Sequence, residues 1–277
     1  MLYNNVIQLN GFKEKFNEFN STYSLSKESR SHMMKFVQMF EQMLYTHFEQ
    51  FRPRVHTFGS ISNGLGTSNS DFDLFIQFEK INADILDFHT SMMALEVIEK
   101  LMKIEFGLQL RNDQSTIIHS RRCPIIKLNF HQCLRHLKLE MPRQQQMRME
   151  FTKCDISIVS MYGVHNSRLL NFFTRYDRRF YELTMALKYW AKTNELISTH
   201  MFSTYAFTML IVFFLQQQDP PILPTVGYLN RLAKKSKNSK KQILHRWDFN
   251  FYDDDIELIG RSKNRKSTPS LFVEFFK

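Results

Sequence analysis

The segment FGSISNGLGTSNSDFDLFI, residues 58–76, constrains the fold more than any other part of the chain. Its last residues alternate between charged and apolar, and successive side chains of a β-strand point to opposite faces. Asp71 and Asp73 therefore share one face of a predicted strand. The opposite face carries apolar residues that can be buried, namely Phe72, Leu74 and Ile76. The sequence thus predicts a strand that presents two neighbouring carboxylates on its polar face.

Two carboxylates held side by side repel each other unless a positive charge lies between them. A divalent metal ion meets this need, because Mg²⁺ prefers oxygen ligands and is often held by one or two carboxylates and substrate phosphates. The residues upstream agree with a phosphate site. Gly59 and Ser60 begin a turn whose backbone amides can face phosphates, and Gly64 and Gly66 allow a close approach of the backbone. The alternative is a solvated strand end after an ordinary loop.

A third carboxylate is supplied by KCDISIV, residues 153–159. The apolar residues of this segment alternate along a predicted strand: Cys154, Ile156 and Ile158. Asp155 therefore points to the other face. An exposed strand edge is the alternative explanation, but Asp155 is flanked by core residues and follows two other candidate ligands. Three carboxylates on adjacent strands can hold two metal ions, the arrangement used in phosphoryl and nucleotidyl transfer. We expect Asp155 to orient the ion at the attacking hydroxyl, and Asp71 and Asp73 to bridge both ions.

The periodicity of the first half predicts a mixed unit of helices and strands. Apolar residues at helical spacing predict helices over residues 28–51 and 82–104. Runs of apolar residues predict strands within residues 117–130 and 149–159. Strand, helix, strand and strand in this order indicate a mixed α/β unit.

The second half is predicted to be mostly helical, beginning near Asn166. Residues 131–148 are polar and contain Pro142, which favours a loop between the two strands. We therefore predict an α+β protein with two lobes and a cleft between them. Its parts are an N-terminal helical segment (1–50) that packs with the helical domain, a catalytic domain (51–165) and a helical domain (166–277).

Charge and cysteine content restrict the partners and the compartment. The 37 Lys and Arg residues exceed the 27 Asp and Glu residues, and a net charge of +10 favours phosphate-rich partners. Three cysteines without CxxC spacing argue against a disulfide framework and a zinc site. The apolar segment 201–215 is shorter than the roughly 20 residues that span a bilayer, so we expect a buried helix and no membrane partner. A cytoplasmic location is expected, with the nucleus as the alternative because of the basic runs.

The segment at 58–76 resembles the Gly-Ser plus Asp-x-Asp signature of the polymerase-beta-like nucleotidyltransferases. More narrowly, the chain is similar to the non-canonical poly(A) polymerases and terminal uridylyltransferases over roughly residues 50–230. The segments that carry this similarity are RRCPIIKLNF, CDISIVSMYGVHNSRLLNFF, LKYWAKTNEL, MFSTYAFTMLIVFFLQ and ILPTV. The resemblance implies a polymerase-beta-like catalytic domain and a helical domain of the kind associated with poly(A) polymerases.

The resemblance also implies roles for individual residues. Asp71, Asp73 and Asp155 become the metal-binding and catalytic triad. The implied nucleotide site comprises Gly59, Ser60 and Ser70 near the phosphates, Asn166 at the ribose, Lys188, Lys192 and Ser203 at the triphosphate, and Tyr205 stacked on the base. The spacing of Lys188 and Lys192 agrees, because residues four apart share a helix face. The alternatives are a solvated face for these lysines, a core position for Tyr205 and a helix N-cap for Asn166.

These inferences predict an enzyme that adds UMP or AMP, without a template, to the 3′ ends of single-stranded RNA. UTP or ATP would be its substrate and Mg²⁺ or Mn²⁺ its cofactor, and either its basic surface or a protein partner would direct it to its RNA. Relatives continue beyond a segment like TPSLFVEFFK into residues that read the base, so the choice between UTP and ATP stays open. A weakly active or inactive member that serves as an RNA-binding adaptor is the main alternative. Nucleotidyl transfer to a protein or small molecule is a third.

Overall fold

The computed structural model describes residues 11, 14–19, 22–81, 87–106, 117–120, 123–130, 153–159, 161–198, 201–236, 243–244 and 247–277. The chain divides into two compact units. Tyr23–Arg168 form the first, called here the sheet unit. Leu169–Lys277, with the described residues before Tyr23, form the second, called the helical unit. The loop predicted at 131–148 lies outside the described residues.

The sheet unit alternates helices and strands in the order that the sequence predicts. Its elements are helix α1 (Lys27–Phe48), a 3-10 turn (Glu49–Phe51), strand β1 (Pro53–Phe58), the short helix α2 (Gly59–Ser62), strand β2 (Phe72–Phe78), helix α3 (Phe88–Glu105) and strands β3 (Ile117–Ile118), β4 (Ile125–Asn129) and β5 (Lys153–Ser157). The strand predicted within 117–130 is therefore two strands, β3 and β4, which pair antiparallel.

Side chains set where the two long helices begin. The Ser29 N–H donates to Ser26 Oγ at 3.0 Å, which caps α1. The Thr90 N–H donates to Asp87 Oδ1 at 2.7 Å, which caps α3. Helix α3 thus starts at Phe88, within the predicted range of 82–104.

The described strands of the sheet unit form one mixed five-stranded sheet in the order β1-β2-β5-β4-β3. Strands β2 and β5 pair parallel, whereas β1 with β2 and β4 with β5 pair antiparallel. In this register Asp155 lies opposite Asp73 on one side and opposite Lys127 on the other. Three charged residues therefore occupy one row across the middle of the sheet.

The apolar face of this sheet is covered by α1 and α3. Its buried side chains include Leu74, Ile76, Ile126, Leu128 and Ile156, each at most 5% exposed. They share one core cluster with α1 residues such as Phe36 and Phe40 and with α3 residues such as Leu95 and Ile98. Each such burial stabilises the fold by roughly 1.5–3 kcal/mol.

The position of α1 differs from the prediction. Residues 1–50 were expected to pack with the helical domain. The described residues before Tyr23 do belong to the helical unit, but α1 belongs to the sheet unit. The reason is its apolar face: Met33, Phe36, Phe40 and Leu44 are at most 1% exposed and lie in the core cluster of the sheet. Periodicity reveals that a helix has an apolar face, but it does not say which surface covers that face.

The helical unit is built from helices and one small hairpin. Helix α4 (Tyr162–Tyr176) enters from the sheet unit, and the following elements are α5 (Arg178–Thr193), α6 (Thr204–Gln216), α7 (Val226–Lys235), the hairpin strands β6 (Ile243–Leu244) and β7 (Trp247–Asp248), α8 (Ile256–Ile259) and α9 (Thr268–Glu274). Helix α5 packs against α6 and α9. Its inner face buries Phe180, Leu183 and Leu187, which are 0% exposed.

The division between the units falls inside α4, between Arg168 and Leu169. The sequence predicts a boundary at 163–166, where helical periodicity begins. Helix α4 starts at Tyr162 and continues through this division. Helical periodicity therefore begins in the sequence before the chain passes from the sheet unit to the helical unit. Asn166 consequently lies in the sheet unit.

The apolar segment 201–215 corresponds to α6. Its inner face buries Phe207, Ile211 and Leu215, as expected for a helix packed in a core. Among the helices that the structure describes, none has the length and apolar character needed to cross a membrane.

Candidate active site

Asp73 and Asp155 lie side by side on the polar face of the sheet. They are direct partners in the parallel pairing of β2 and β5. Their strand neighbours Phe72, Leu74 and Cys154 are at most 1% exposed on the opposite face. The core therefore holds both strands in the register that brings the two carboxylates together.

Asp71 lies one residue before β2 and is exposed. Its charge nevertheless raises the pKa of both Asp73 and Asp155. The three aspartates that the sequence singles out thus form one electrostatic cluster, in which Asp71 is the most solvated member.

Burial is the main cause of the electrostatic shifts in this cluster. Burial raises the pKa of Asp73 to about 7, and the charges of Asp155 and then Asp71 add to it. The pKa of Asp155 is also raised by burial, against the opposing effect of the hydrogen bond and charge of Lys127. Near neutral pH the cluster therefore resists ionising fully unless a cation compensates it.

Lys127 supplies one such cation, and sequence reasoning missed it. Its Nζ lies 3.1 Å from Asp155 Oδ2. Lys127 stands opposite Asp155 in the antiparallel pairing of β4 and β5. The alternation in PIIKL was the available signal, because Ile126 and Leu128 face the core and Lys127 must face the other way.

The other oxygen of Asp155 remains unsatisfied. Asp155 Oδ1 is buried and has no hydrogen-bond partner among the residues that the structure describes. A buried oxygen of this kind, next to a second carboxylate, fits a divalent cation as a further ligand. Among the described residues, however, no group of three His, Cys, Asp or Glu side chains is already arranged as a metal site. The carboxylates able to hold an ion are those of Asp73 and Asp155, with Asp71 beside them.

Gly59 makes room for the Asp73 carboxylate. Its φ of +74° is unfavourable for residues with a side chain, and a Cβ at this position would overlap Asp73 Oδ2. The turn after β1 can therefore approach the acidic cluster only because residue 59 is a glycine.

The Gly59 amide is directed differently from the prediction. Its N–H donates to Ser167 Oγ at 2.8 Å, and that hydroxyl donates to the Gly163 carbonyl at 2.7 Å. Ser167, 5% exposed on α4, thereby ties the turn to that helix. The Gly59 N–H does not face outward, and Ser60, in the first turn of α2, is the half-buried residue beside it. Sequence reasoning missed Ser167, which lies 108 residues away in the chain.

Ser70 and Asn166 also lie in the sheet unit. Ser70 closes the turn before Asp71, because its Oγ accepts the Thr67 N–H at 2.9 Å and its N–H donates to the Thr67 carbonyl at 3.0 Å. Asn166 is half-buried in the second turn of α4. It is therefore not the helix N-cap that the alternative interpretation required.

The remaining predicted residues lie in the helical unit. Lys188 and Lys192 are one turn apart on α5, but only Lys192 is exposed. Lys188 is 8% exposed, so it is not part of a solvated face. Burial, followed by the charge of Lys192, lowers its pKa to about 8.

Ser203 and Tyr205 begin helix α6. Ser203 is the N-cap, since its Oγ accepts the Ala206 N–H at 3.1 Å. Tyr205 is 43% exposed, so its ring is not a core residue, and burial of its remaining surface raises the pKa of the phenol. The ring is accessible for stacking.

The sequence profile of one family matches most of the region that carries these features. The family is described as poly(A) RNA polymerase, mitochondrial-like, central palm domain, and the match covers residues 12–175. The chain belongs to this family. The resemblance that the sequence indicates is thereby confirmed.

Relatives from other organisms align with much of the chain. The terminal uridylyltransferase cid1 of Schizosaccharomyces pombe is 28% identical over 224 residues, which cover 79% of this chain and 47% of cid1. The speckle targeted PIP5K1A-regulated poly(A) polymerase of Danio rerio is 24% identical over 266 residues, which cover 91% of this chain and 33% of the relative. The chain thus spans about a third to a half of the length of these relatives.

The fold of mtPAP is also similar. Its crystal structure in complex with UTP aligns with a TM-score of 0.75 and 23% sequence identity, covering 96% of this chain and 54% of mtPAP. This similarity confirms the predicted α+β fold class, a polymerase-beta-like nucleotidyltransferase fold with a mixed sheet and helices.

Proposed function

We propose that this chain is an RNA terminal nucleotidyltransferase that adds UMP or AMP to the 3′ ends of single-stranded RNA. The observation that carries the proposal is the direct pairing of Asp73 with Asp155 across β2 and β5, with Asp71 in the same electrostatic cluster. Its membership of a poly(A) RNA polymerase family supports this chemistry. Relatives named as a uridylyltransferase and a poly(A) polymerase support the two candidate nucleotides.

In this proposal Asp71, Asp73 and Asp155 bind divalent ions, Mg²⁺ or Mn²⁺. Such ions, when bound, activate the attacking RNA hydroxyl and stabilise charge on the leaving pyrophosphate. The chain's own contribution is rigidity: the pairing of β2 and β5 fixes the spacing of Asp73 and Asp155, and Gly59 leaves space for Asp73. Precise placement of reacting groups supplies a large part of many rate enhancements.

The resemblance supports a nucleotide-binding role for the following residues. Lys188 and Lys192 would hold the triphosphate, with Ser203 beside them. Ser60, Ser70 and Asn166 are also proposed to contact the nucleotide, and Tyr205 is proposed to stack on the base. Support comes from the resemblance and from the accessible ring of Tyr205.

The choice of nucleotide and the RNA target are separate questions. Structures of mtPAP are known with UTP, GTP, ATPγS and CTP, so each nucleoside triphosphate has to be tested alone. The net charge of +10 supports RNA as the acceptor, and a protein partner is proposed to direct the enzyme to its target. A cytoplasmic location is proposed, and the nucleus is the alternative.

Extension of a labelled single-stranded RNA, with Mg²⁺ or Mn²⁺ and one nucleotide at a time, tests the proposal. Asp73→Asn removes a ligand oxygen and a charge but keeps the side-chain volume. It should lower the extension rate at least about 100-fold, equivalent to ~2.7 kcal/mol of barrier. Asp254→Asn, at an exposed position in the helical unit, is the control and should extend RNA at the wild-type rate.

Two results would contradict the proposal. If Asp73→Asn extends RNA as fast as the wild-type protein, the assignment of the aspartates is wrong. If the wild-type protein binds RNA but extends it with none of the four nucleotides, the alternative of an RNA-binding adaptor takes its place.

A further inference from the structure

Lys127 continues the row of charged side chains across the sheet. The register places Asp73, Asp155 and Lys127 on adjacent strands β2, β5 and β4. Their strand neighbours Leu74, Ile156 and Leu128 lie in the core, so all three charged residues share the opposite face. The ammonium of Lys127 is thus built into the same surface as the candidate metal ligands.

The contact between Lys127 and Asp155 is close and partly shielded from water. Lys127 Nζ lies 3.1 Å from Asp155 Oδ2, and the two side chains are 34% and 17% exposed. The charge of Lys127 favours ionisation of both Asp155 and Asp73. The charge of Lys153 also favours ionisation of Asp155 but is not among the causes that act on Asp73. Lys127 therefore acts on the pair of carboxylates and not on one residue alone.

We propose that Lys127 is an internal counter-cation that pairs with Asp155 and partly offsets the charge of Asp73 before a metal ion binds, and then competes with that ion for Asp155. This inference rests on the proposed metal-binding function of the site. A lysine suits the role, because its ammonium is a single point charge on a flexible stem that can withdraw from Oδ2. The buried Oδ1 of Asp155 has no hydrogen-bond partner within the described part of the chain, which leaves it available as a ligand.

The competition has a thermodynamic consequence. Two adjacent carboxylates without a cation are unfavourable, so Lys127 stabilises the metal-free protein. The same charge repels an incoming divalent ion and occupies one carboxylate oxygen. Removing the charge should therefore destabilise the metal-free protein and strengthen metal binding.

Mn²⁺ binding to the nucleotide-free protein, measured by calorimetry and by electron paramagnetic resonance, tests this inference. Lys127→Met keeps most of the apolar stem and removes the charge. It should tighten Mn²⁺ binding roughly tenfold, since 1.4 kcal/mol of lost repulsion is tenfold in affinity. Its melting temperature in EDTA should fall below that of the wild-type protein, and Mn²⁺ should raise it by more than in the wild type.

Lys103→Met is a matched control. Lys103 Nζ lies 3.2 Å from Glu99 Oε2, and these side chains are 37% and 10% exposed, so the pair resembles that of Lys127 and Asp155. It lies on α3, away from the acidic row. Lys103→Met should lower the melting temperature without changing the Mn²⁺ affinity.

Lys127→Arg tests the same idea without removing the charge, and it serves if Lys127→Met fails to fold. An arginine can grip a carboxylate with two parallel hydrogen bonds and is harder to displace. Mn²⁺ should therefore bind this variant more weakly than the wild-type protein.

The inference and the proposed function fail in different ways. If Asp73→Asn abolishes Mn²⁺ binding but Lys127→Met binds Mn²⁺ no more tightly than the wild type, the inference is overturned and the metal assignment stands. If neither the wild type nor Lys127→Met binds Mn²⁺, the inference is also overturned, and the RNA extension assay decides the function separately.

Discussion

Gly59 and Asp73 are packed so closely that the Asp73 carboxylate leaves no space for a side chain at residue 59. A side chain on residue 59 would overlap Asp73 Oδ2, and the φ of +74° disfavours any residue except glycine. The carboxylate in turn is held by its place in β2. The geometry of the acidic cluster therefore depends on the absence of a Cβ at residue 59.

Gly59→Ala should impair catalysis by displacing Asp73. We expect the RNA extension rate to fall at least roughly tenfold, because small displacements of catalytic groups have large effects on rate. The measurement is the extension assay, combined with circular dichroism to verify that the variant is folded.

Gly260→Ala separates the two causes of this effect. Gly260 has a similar φ of +80°, but nothing lies within 4 Å of a Cβ at that position. Its replacement should lower stability by about 1 kcal/mol through backbone strain and leave the extension rate unchanged. Equal loss of activity in both variants would show that strain, and not the overlap with Asp73, is responsible.

At the scale of elements, α5 shows how one helix gives two lysines different properties. Lys188 and Lys192 share a face, as their spacing predicts. That face is buried at Lys188 and exposed at Lys192. Burial lowers the pKa of Lys188 to about 8. Only the protonated ammonium attracts a triphosphate, so binding by Lys188 should weaken as the pH rises above this value.

The affinity for UTP or ATP should therefore depend on pH. We expect the Kd of the wild-type protein to rise about tenfold per pH unit above pH 8, the limit for binding that requires one proton. Lys188→Arg stays charged at all accessible pH values and should bind with a nearly constant Kd up to pH 9.5.

Equilibrium dialysis between pH 7 and pH 9.5 measures this effect. Lys192→Arg is the control and should keep the wild-type dependence, because Lys188 is unchanged in it. A pH-independent Kd for the wild-type protein would exclude Lys188 from the triphosphate site.

At the scale of the whole molecule, long-range side-chain contacts connect segments that are distant in the chain. Arg179, at the start of α5, donates to the carbonyls of Asn264 and Lys266 at 2.9 and 3.0 Å and pairs with Asp177 at 2.7 Å. Thr268 Oγ1, also near the chain end, donates to Glu182 at 2.6 Å. The C-terminal segment is thereby attached to α5, which also carries Lys188.

Arg179→Met should destabilise the protein by roughly 2–4 kcal/mol, because it leaves the largely buried Asp177 charge and two carbonyls without this donor. Urea unfolding measures the change. Arg178→Met is the neighbouring control: its partner is Glu182, but Arg178 is 81% exposed, and the expected loss is below about 1 kcal/mol. Similar losses in both variants would mean that the contacts of Arg179 contribute little.

Local patterns determined much of the candidate site. Alternation predicts that Asp73 faces away from Phe72 and Leu74, because the period of a strand is two residues. The same argument predicts the orientation of Asp155, and helical spacing predicts that Lys188 and Lys192 share a face. Each inference depends only on backbone geometry within a few residues, which is why the sequence alone was sufficient for it.

The tertiary structure decided which of these elements meet. It placed Lys127 opposite Asp155, directed Ser167 to the Gly59 amide and packed α1 against the sheet. These contacts join residues tens to more than a hundred positions apart, and strand order and register arise from the packing of the whole core. Periodicity identifies an apolar face or a charged row but carries no information about its partner. That is why the aspartates were predictable from the sequence, whereas the lysine that pairs with Asp155 and the serine that holds the turn were not.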